Sequence, residues 1–378
     1  MTSRERVEAA FSHRSPDRTP IFEYVLLPPL AARILGRPLN EYLGGMEPWL
    51  EAAREVGFER ALRQYARDRV DLAEKLGHDM LFASPNPVPG AAYSYDPLSE
   101  LGAQFNVHQD GDPVRRLQER NRRVAQTMLG ELPQDSYLVY HFLRDEMARR
   151  DLDLPILAPA YFHGIWTDSD LMQVMLIEPE TAREHFRLAT RRAMSVISDY
   201  GRVGIDMMGI GGDFAGTRLL ISPQAYREFI VPEVRECAQR VRALGARSVN
   251  ASDGDLWPVI DDFLSGCGVD AYLEIDMGAG MELSRLKAAY GESVTFLGNM
   301  DCGRILSFSS AEEISAVTRR IISDAGGGGG HIFTASNAIT ASVPLVNYLA
   351  MVNAYRDCFG IERLSFQIAA APARRGTW

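Results

Sequence analysis

The chain has 378 residues, of which 46% are hydrophobic and 24% charged, an ordinary balance that excludes a disordered or fibrous chain and allows a sizeable core. Fifty acidic against 40 basic side chains give a formal net charge of -10, which argues against a phosphate-neutralising surface and so against nucleic acid as a partner.

The opening MTSRERVEAAFSHRSPDRTP is charged from Arg4 onward and lacks an apolar signal core, and no run approaches the length of a membrane span. The expectation is a cytoplasmic protein with an N-terminal helix. Beyond it, short apolar runs alternate with longer amphipathic stretches, the pattern of repeated βα units. The runs read as strands are Pro20 to Tyr24, Met80 to Ser84, Pro155 to Tyr161, Met207 to Asp213, Arg247 to Ser252, Ala271 to Ile275, Thr295 to Met300 and His331 to Ser336. Eight such runs predict an α/β fold, one closed (β/α)8 TIM barrel domain over residues 1–378. The segment from Gly90 to Asp153 breaks the rhythm and reads as an insertion between strands two and three. Its first part, to Pro113, suggests a hairpin or irregular cap, and Arg115 to Leu129 and Ser136 to Arg150 suggest two helices. Ser222 with Pro223 predicts a helix start, and Pro232 a kink or a break. Pro258 predicts another helix over WPVIDDFLSG, and Ser309 with Glu312 or Glu313 a capped start for the helix that runs to about Ser323. The five glycines from Gly326 to Gly330 precede a strand, which places them on the barrel's N-terminal face as a connection and not as a phosphate cradle.

Catalytic groups in such a barrel stand at the C-terminal ends of the strands. There the sequence offers Glu23 and Tyr24, then Tyr161, Phe162, His163 and Trp166, then Asp213, Asn250, Asp253, Glu274, Asn299 and Asn337. The ring is acidic, and clustered carboxylates either raise one another's pKa for acid–base work, coordinate a cation or bind a positively charged substrate. Asp255 and Asp276 sit slightly beyond their strands and read better as helix caps, whereas Asp213 and Asp253 read as functional. His163 is the one histidine at a strand top, open to a structural role or to one as acid, base or ligand. Cys237, Cys267, Cys302 and Cys358 lack CxxC spacing, so neither a disulfide scaffold nor a four-thiolate zinc site is expected.

GIDMMGIGGDFAGTRLLISPQAYREFIVPEV, followed by SDGDLWPVIDDFLSGCGVDAYLEIDMGAGMELSRLKAAYGESVTFLGNMD, resembles the uroporphyrinogen decarboxylase family in its broad sense, as does the opening TSRERVEAAFSHRSPDRTPI. The resemblance implies a distorted (β/α)8 barrel, a homodimer, and one of two chemistries. One is decarboxylation of a tetrapyrrole bearing eight carboxylates, which calls for an arginine-rich loop after the first strand. Here that loop reads EYVLLPPLAARILGR with only Arg33 and Arg37, the aspartate after strand two is replaced around Ser84, and the histidine after strand eight falls on Asn337. The other is zinc-dependent methyl transfer between corrinoid proteins, thiols and methylated small molecules. Its His-x-Cys pair falls on Ala251 and Asp253 and its last cysteine near Asn337, so no zinc and no tightly bound cofactor is expected. What remains resembles the members that take a methyl group from a small methylated compound, with a corrinoid protein as the partner that accepts it. Asp253 and Asp213 are then expected at the reacting centre, with Glu23, Tyr161, His163, Trp166, Asn250, Glu274, Asn299 and Asn337 binding substrate. A decarboxylase of another carboxylated substrate and a non-catalytic binding barrel are the alternatives.

Overall fold

In the computed structural model, which describes residues 1–88, 111–127 and 132–365, seven parallel strands lie side by side in chain order. They are β1 (Leu81–Phe82), β2 (Ile156–Phe162), β3 (Met207–Gly211), β4 (Arg247–Ala251), β5 (Ala271–Leu273), β6 (Thr295–Leu297) and β7 (His331–Ile332). Residues 20–22 supply the eighth stave. Phe22 donates its N–H to the Phe333 carbonyl at 3.1 Å, Phe333 donates to Pro20 at 2.8 Å, and Asp79 donates to Ile21 at 2.7 Å. The curled sheet thereby meets itself, and all eight predicted strand runs fall on staves of the expected barrel.

Side chains alternate across each stave, so the barrel has two cores. Phe22, Met80, Leu157, Met207, Val249, Ala271, Leu297 and Ile332 fill the lumen, and Val7, Ala10 and Phe11 plug it from below. Those three project from helix Ser3–Phe11, which starts where Thr2 and Glu5 form a reciprocal capping box. The larger core lies outside the staves, beneath the helices. The glycine run also belongs to the bottom face: Gly330 donates to the Ala10 carbonyl at 2.8 Å and the Lys287 ammonium donates to the Gly329 carbonyl at 2.7 Å.

Several predicted helix details shift. Ser222 accepts the Ala225 N–H at 3.1 Å as expected. The kink expected at Pro232 is a widened, π-helical turn over Tyr226–Ile230, followed by helix Val231–Ala243. A proline without an N–H breaks the regular ladder, and the extra residue in the turn absorbs the gap. Ser310, not Ser309, caps helix Ala311–Asp324 by accepting the Glu313 N–H at 3.2 Å; Ser309 instead ends the short helix Ile305–Phe308. The segment after Pro258 is a 3-10 turn, Trp257–Val259, followed by a π-helical turn, Asp262–Gly266. The two insertion helices run over Pro113–Thr127 and Leu138–Ala148. The predicted hairpin or cap falls mostly on residues 89–110, outside the described residues. Among the described residues, no helix is long and apolar enough to cross a membrane.

Candidate active site

A cavity of about 440 Å³ opens at the C-terminal mouth of the barrel. Strand alternation selects most of its walls: Tyr24, Phe82, Leu157, Pro159, Gly209, Gly211, Val249, Ala251 and Leu273 lie on the lumen-facing register, a register shift after Pro159 brings Phe162 into that phase and turns the Tyr161 ring toward the helices, and Trp166 and Thr167 complete the rim. Asp213 and Glu274 are the charged side chains among the described residues of this lining, and Asn337 reaches it from beyond β7.

The carboxyl groups are held at close quarters. The Asp253 N–H donates to Asp213 Oδ1 at 2.8 Å, and Asn337 Nδ2 donates to Asp253 Oδ2 at 2.6 Å. Asp253 stands on a turn that only glycine can complete, because Gly254 has φ 91° and a Cβ there would lie 2.6 Å from the Ala215 carbonyl carbon. A second constraint shapes the opposite wall, where a Cβ on Gly212 would lie 2.5 Å from the Phe162 ring. Glu274 departs from alternation: its φ of 71° turns the side chain back so that it lines the cavity beside Leu273, a left-handed conformation that costs a non-glycine residue about 1 kcal/mol or more.

Burial, reinforced by mutual repulsion, raises these groups above the ordinary carboxyl range. Burial first and the Asp213 charge second push Asp253 up to about 7. Burial raises Asp213, and raises Glu274 well above its usual value with Asp213 and Asp253 adding to the effect. The cluster therefore offers one carboxyl group, Asp253, that exchanges its proton at about 7, beside two others raised in the same direction and an apolar wall. Asp276 does act as a cap, accepting the Ala279 N–H at 3.0 Å, whereas Asp255 stands one residue before the N-cap Leu256 and accepts the Trp257 N–H at 3.0 Å.

Of the residues singled out from the sequence, Tyr161, Trp166, Asp213, Glu274 and Asn337 line the cavity, and Asp253 joins them through two hydrogen bonds. Four others are turned away. Glu23 is out of phase with Tyr24 and lies outside the lumen, where Oε2 accepts from Thr334 and Ala335 at 3.4 Å and burial pushes its carboxyl up to about 7. Asn250 alternates with Val249 and Ala251 and donates to the Phe263 carbonyl at 3.2 Å, on the helix side. Asn299 is buried and donates to the Met281 carbonyl at 3.3 Å. His163 packs between Phe162 and Phe214, accepts the Ile165 N–H at 3.3 Å, and is pushed down to about 3 by burial, so its ring is neutral. Sequence reasoning passed over Phe82, Thr167 and the glycines of β3; reading the lumen phase from Met80 and Asp213 along their strands identifies Phe82 and Gly211.

The positions that the family resemblance gives to zinc ligands do come together, but with the wrong chemistry. Ala251 offers a methyl group, and Asp253 is engaged by the Asn337 amide, which presents an N–H donor where a metal needs a lone pair. These residues do not fit a thiol-activating zinc ion. Among the described residues no three His, Cys, Asp or Glu side chains are placed to hold a metal ion. Arg33 is exposed, and Arg37 pairs with Asp68 and Asp71, away from the cavity.

Residues 162–358 match the family model described as uroporphyrinogen decarboxylase (URO-D). The uroporphyrinogen decarboxylase of Chloroflexus aggregans is 26% identical over 375 residues, 92% of this chain and 94% of that protein. That of Coxiella burnetii is 23% identical over 185 residues, so the aligned part spans about half (48%) of either chain. Among solved structures, a methyltransferase from Methanosarcina mazei superposes with a TM-score of 0.67 at 16% identity, covering 95% of this chain and 99% of that one, which is a likeness of fold.

Proposed function

We propose, from the premise that the chain belongs to the uroporphyrinogen decarboxylase family, that it is an enzyme transferring a methyl group from a small methylated compound bound in the barrel mouth. The observation that carries this reading is the pairing of an apolar, aromatic wall with carboxyl groups raised by burial, Asp253 up to about 7, and no cationic side chain among the described lining residues. A donor's methyl group leaves without its bonding pair, which stays on oxygen or nitrogen; a carboxyl group at Asp253 or Asp213 polarises or protonates that atom. Glu274, Trp166 and Asn337 orient the donor, and a corrinoid carried on a partner protein is the acceptor we assign. The same lining disfavours a tetrapyrrole with eight carboxylates, which two carboxyl groups would repel and no described lining arginine would pair.

The test is to incubate the purified protein with reduced free cobalamin and a panel of methoxylated and methylated-amine donors, following methylcobalamin by absorbance. Methylation by at least one donor is expected. Conversion of uroporphyrinogen to coproporphyrinogen at enzymatic rates, read by chromatography, would overturn the reading in favour of the family's decarboxylase chemistry.

The metal prediction is independent of substrate. Elemental analysis of purified protein should find zinc far below one per chain, because Asp253 is engaged by an amide donor and Ala251 cannot ligate. A stoichiometric, dialysis-resistant zinc would show that Asp253, Asp213, Glu274 or Cys302 has been recruited into a rebuilt site.

A further inference from the structure

Glu274 stands out among the polar groups of the cavity. It is 8% exposed and lines the cavity, burial and the Asp213 and Asp253 charges raise its carboxyl, and among the described residues it has no hydrogen-bond or cationic partner. A buried carboxyl group without a partner is unfavourable when charged, and here the backbone also adopts a left-handed conformation that aims it inward. Around it the wall is aromatic: Tyr24 meets Phe82 edge to face at 4.5 Å, and Phe162 and Trp166 form the rim, with Trp166 49% exposed at the entrance. Aromatic faces attract cations, most strongly when the cation is poorly hydrated, as methylated ammonium groups are. A neutral ether could accept only from the protonated form and would leave the carboxylate unpaired, and an anion would be repelled by it.

We propose that the cavity is a receptor for a methylated organic cation, a small ammonium compound whose methyl groups lie against Tyr24, Phe82, Phe162 and Trp166 while its charge faces Glu274 and Asp213; this names the donor class within the methyl-transfer reading and rests on it. For such a donor the step balances without a proton: the C–N bonding pair stays on nitrogen as the methyl group moves to the acceptor, and the departing amine is neutral.

A linkage follows. The titratable groups facing Glu274 are Asp213 from the end of β3, Asp253 from the end of β4, and Tyr272 and Asp276 from β5 and the turn after it. A cation favours the charged carboxylates, so binding releases protons and tightens as pH rises.

The experiment is calorimetric titration of the intact protein with choline and with 3,3-dimethylbutan-1-ol, its neutral carbon counterpart of the same shape. Choline is expected to bind at least tenfold more tightly, with affinity rising from pH 6 to pH 8. Equal affinity for the two, or no binding of choline at tens of millimolar, overturns the proposal. Glu274→Gln should lower choline affinity at least tenfold while leaving the circular dichroism spectrum unchanged; unchanged affinity in a folded variant also overturns it, and the choline–alcohol comparison on the unaltered chain stands if the variant fails to fold. Methyl transfer from a neutral methoxylated donor without choline binding would sink this inference alone, whereas choline binding without methyl transfer to any acceptor would sink the methyl-transfer reading alone.

Discussion

Asp253→Asn is expected to lower turnover or ligand affinity at least tenfold while making the protein more stable at alkaline pH. The activity loss follows from replacing a carboxyl group that titrates at about 7 with an amide that neither gives up nor carries charge, and tenfold corresponds to about 1.4 kcal/mol in the transition state or the complex. The stability gain follows from the direction of the pKa change. A carboxyl group whose folded value lies above its unfolded value stabilises the fold by holding a proton; that contribution is complete below about pH 4 and is lost as pH rises through about 7. A rise of about three pH units at about 1.4 kcal/mol each sets an upper bound of about 4 kcal/mol, reduced to the extent that Asp213 shares the charge. The variant should therefore match the parent's melting temperature near pH 4 to 5 and exceed it increasingly up to pH 8. The Asn337 amide can still donate to the new side-chain oxygen, so the turn at Gly254 should hold. A variant that melts several degrees lower at every pH with ligand binding intact would mean that Asp253 is a turn former, and the site would have to be rebuilt around Asp213 and Glu274.

The barrel was legible because each stave is a short apolar run bounded by turn residues, and that signal survives even where regular pairing shrinks to two residues, as in β1 and β7. The inward phase was equally available but needs one anchor. Once Tyr24 is known to face the lumen, Glu23 must face the helices; once Ala251 does, Asn250 cannot. Choosing polar residues at strand ends without that step gathered both phases. His163 lay beyond the reach of alternation, since it follows the end of β2 and its direction is set by packing against Phe162 and Phe214. Glu274 is the converse case. Its neighbour Leu273 also faces the cavity, so strict alternation would have rejected it, and only the left-handed backbone brings it in. Acidic composition at the strand ends was the correct signal there, for a conformational reason that no sequence pattern contains.

Asp79→Ala should cost about 3–5 kcal/mol of stability, the largest effect expected of any single truncation here, with ligand affinity of the folded fraction unchanged. Asp79 is fully buried at the start of the second stave, on the face opposite the cavity. Its Oδ1 accepts from Arg6 at 2.6 Å and from Arg18 at 2.9 Å, and its Oδ2 accepts from Arg18 at 2.6 Å and from the Ile21 N–H at 3.0 Å. One carboxylate thus joins the plug helix, the residue chain entering the first stave, and the stave itself. Removing it leaves two largely buried guanidinium groups facing each other and an unpaired backbone donor; Arg6 keeps its pair with Asp17, but Arg18 loses its carboxylate partner and its desolvation is no longer offset. The location magnifies the effect, because residues 20–22 close the barrel through few backbone hydrogen bonds and Asp79 holds both the Ile21 N–H and, through its own N–H, the Ile21 carbonyl. Asp79→Asn should fall between the two, since an amide keeps one acceptor but turns a donor toward an arginine. Urea unfolding of the three proteins measures this directly. A loss below about 1 kcal/mol for Asp79→Ala would mean that water replaces the carboxylate at the seam, and that the barrel is closed by lumen packing of Phe22 against Met80 and Ile332 and not by this ion cluster.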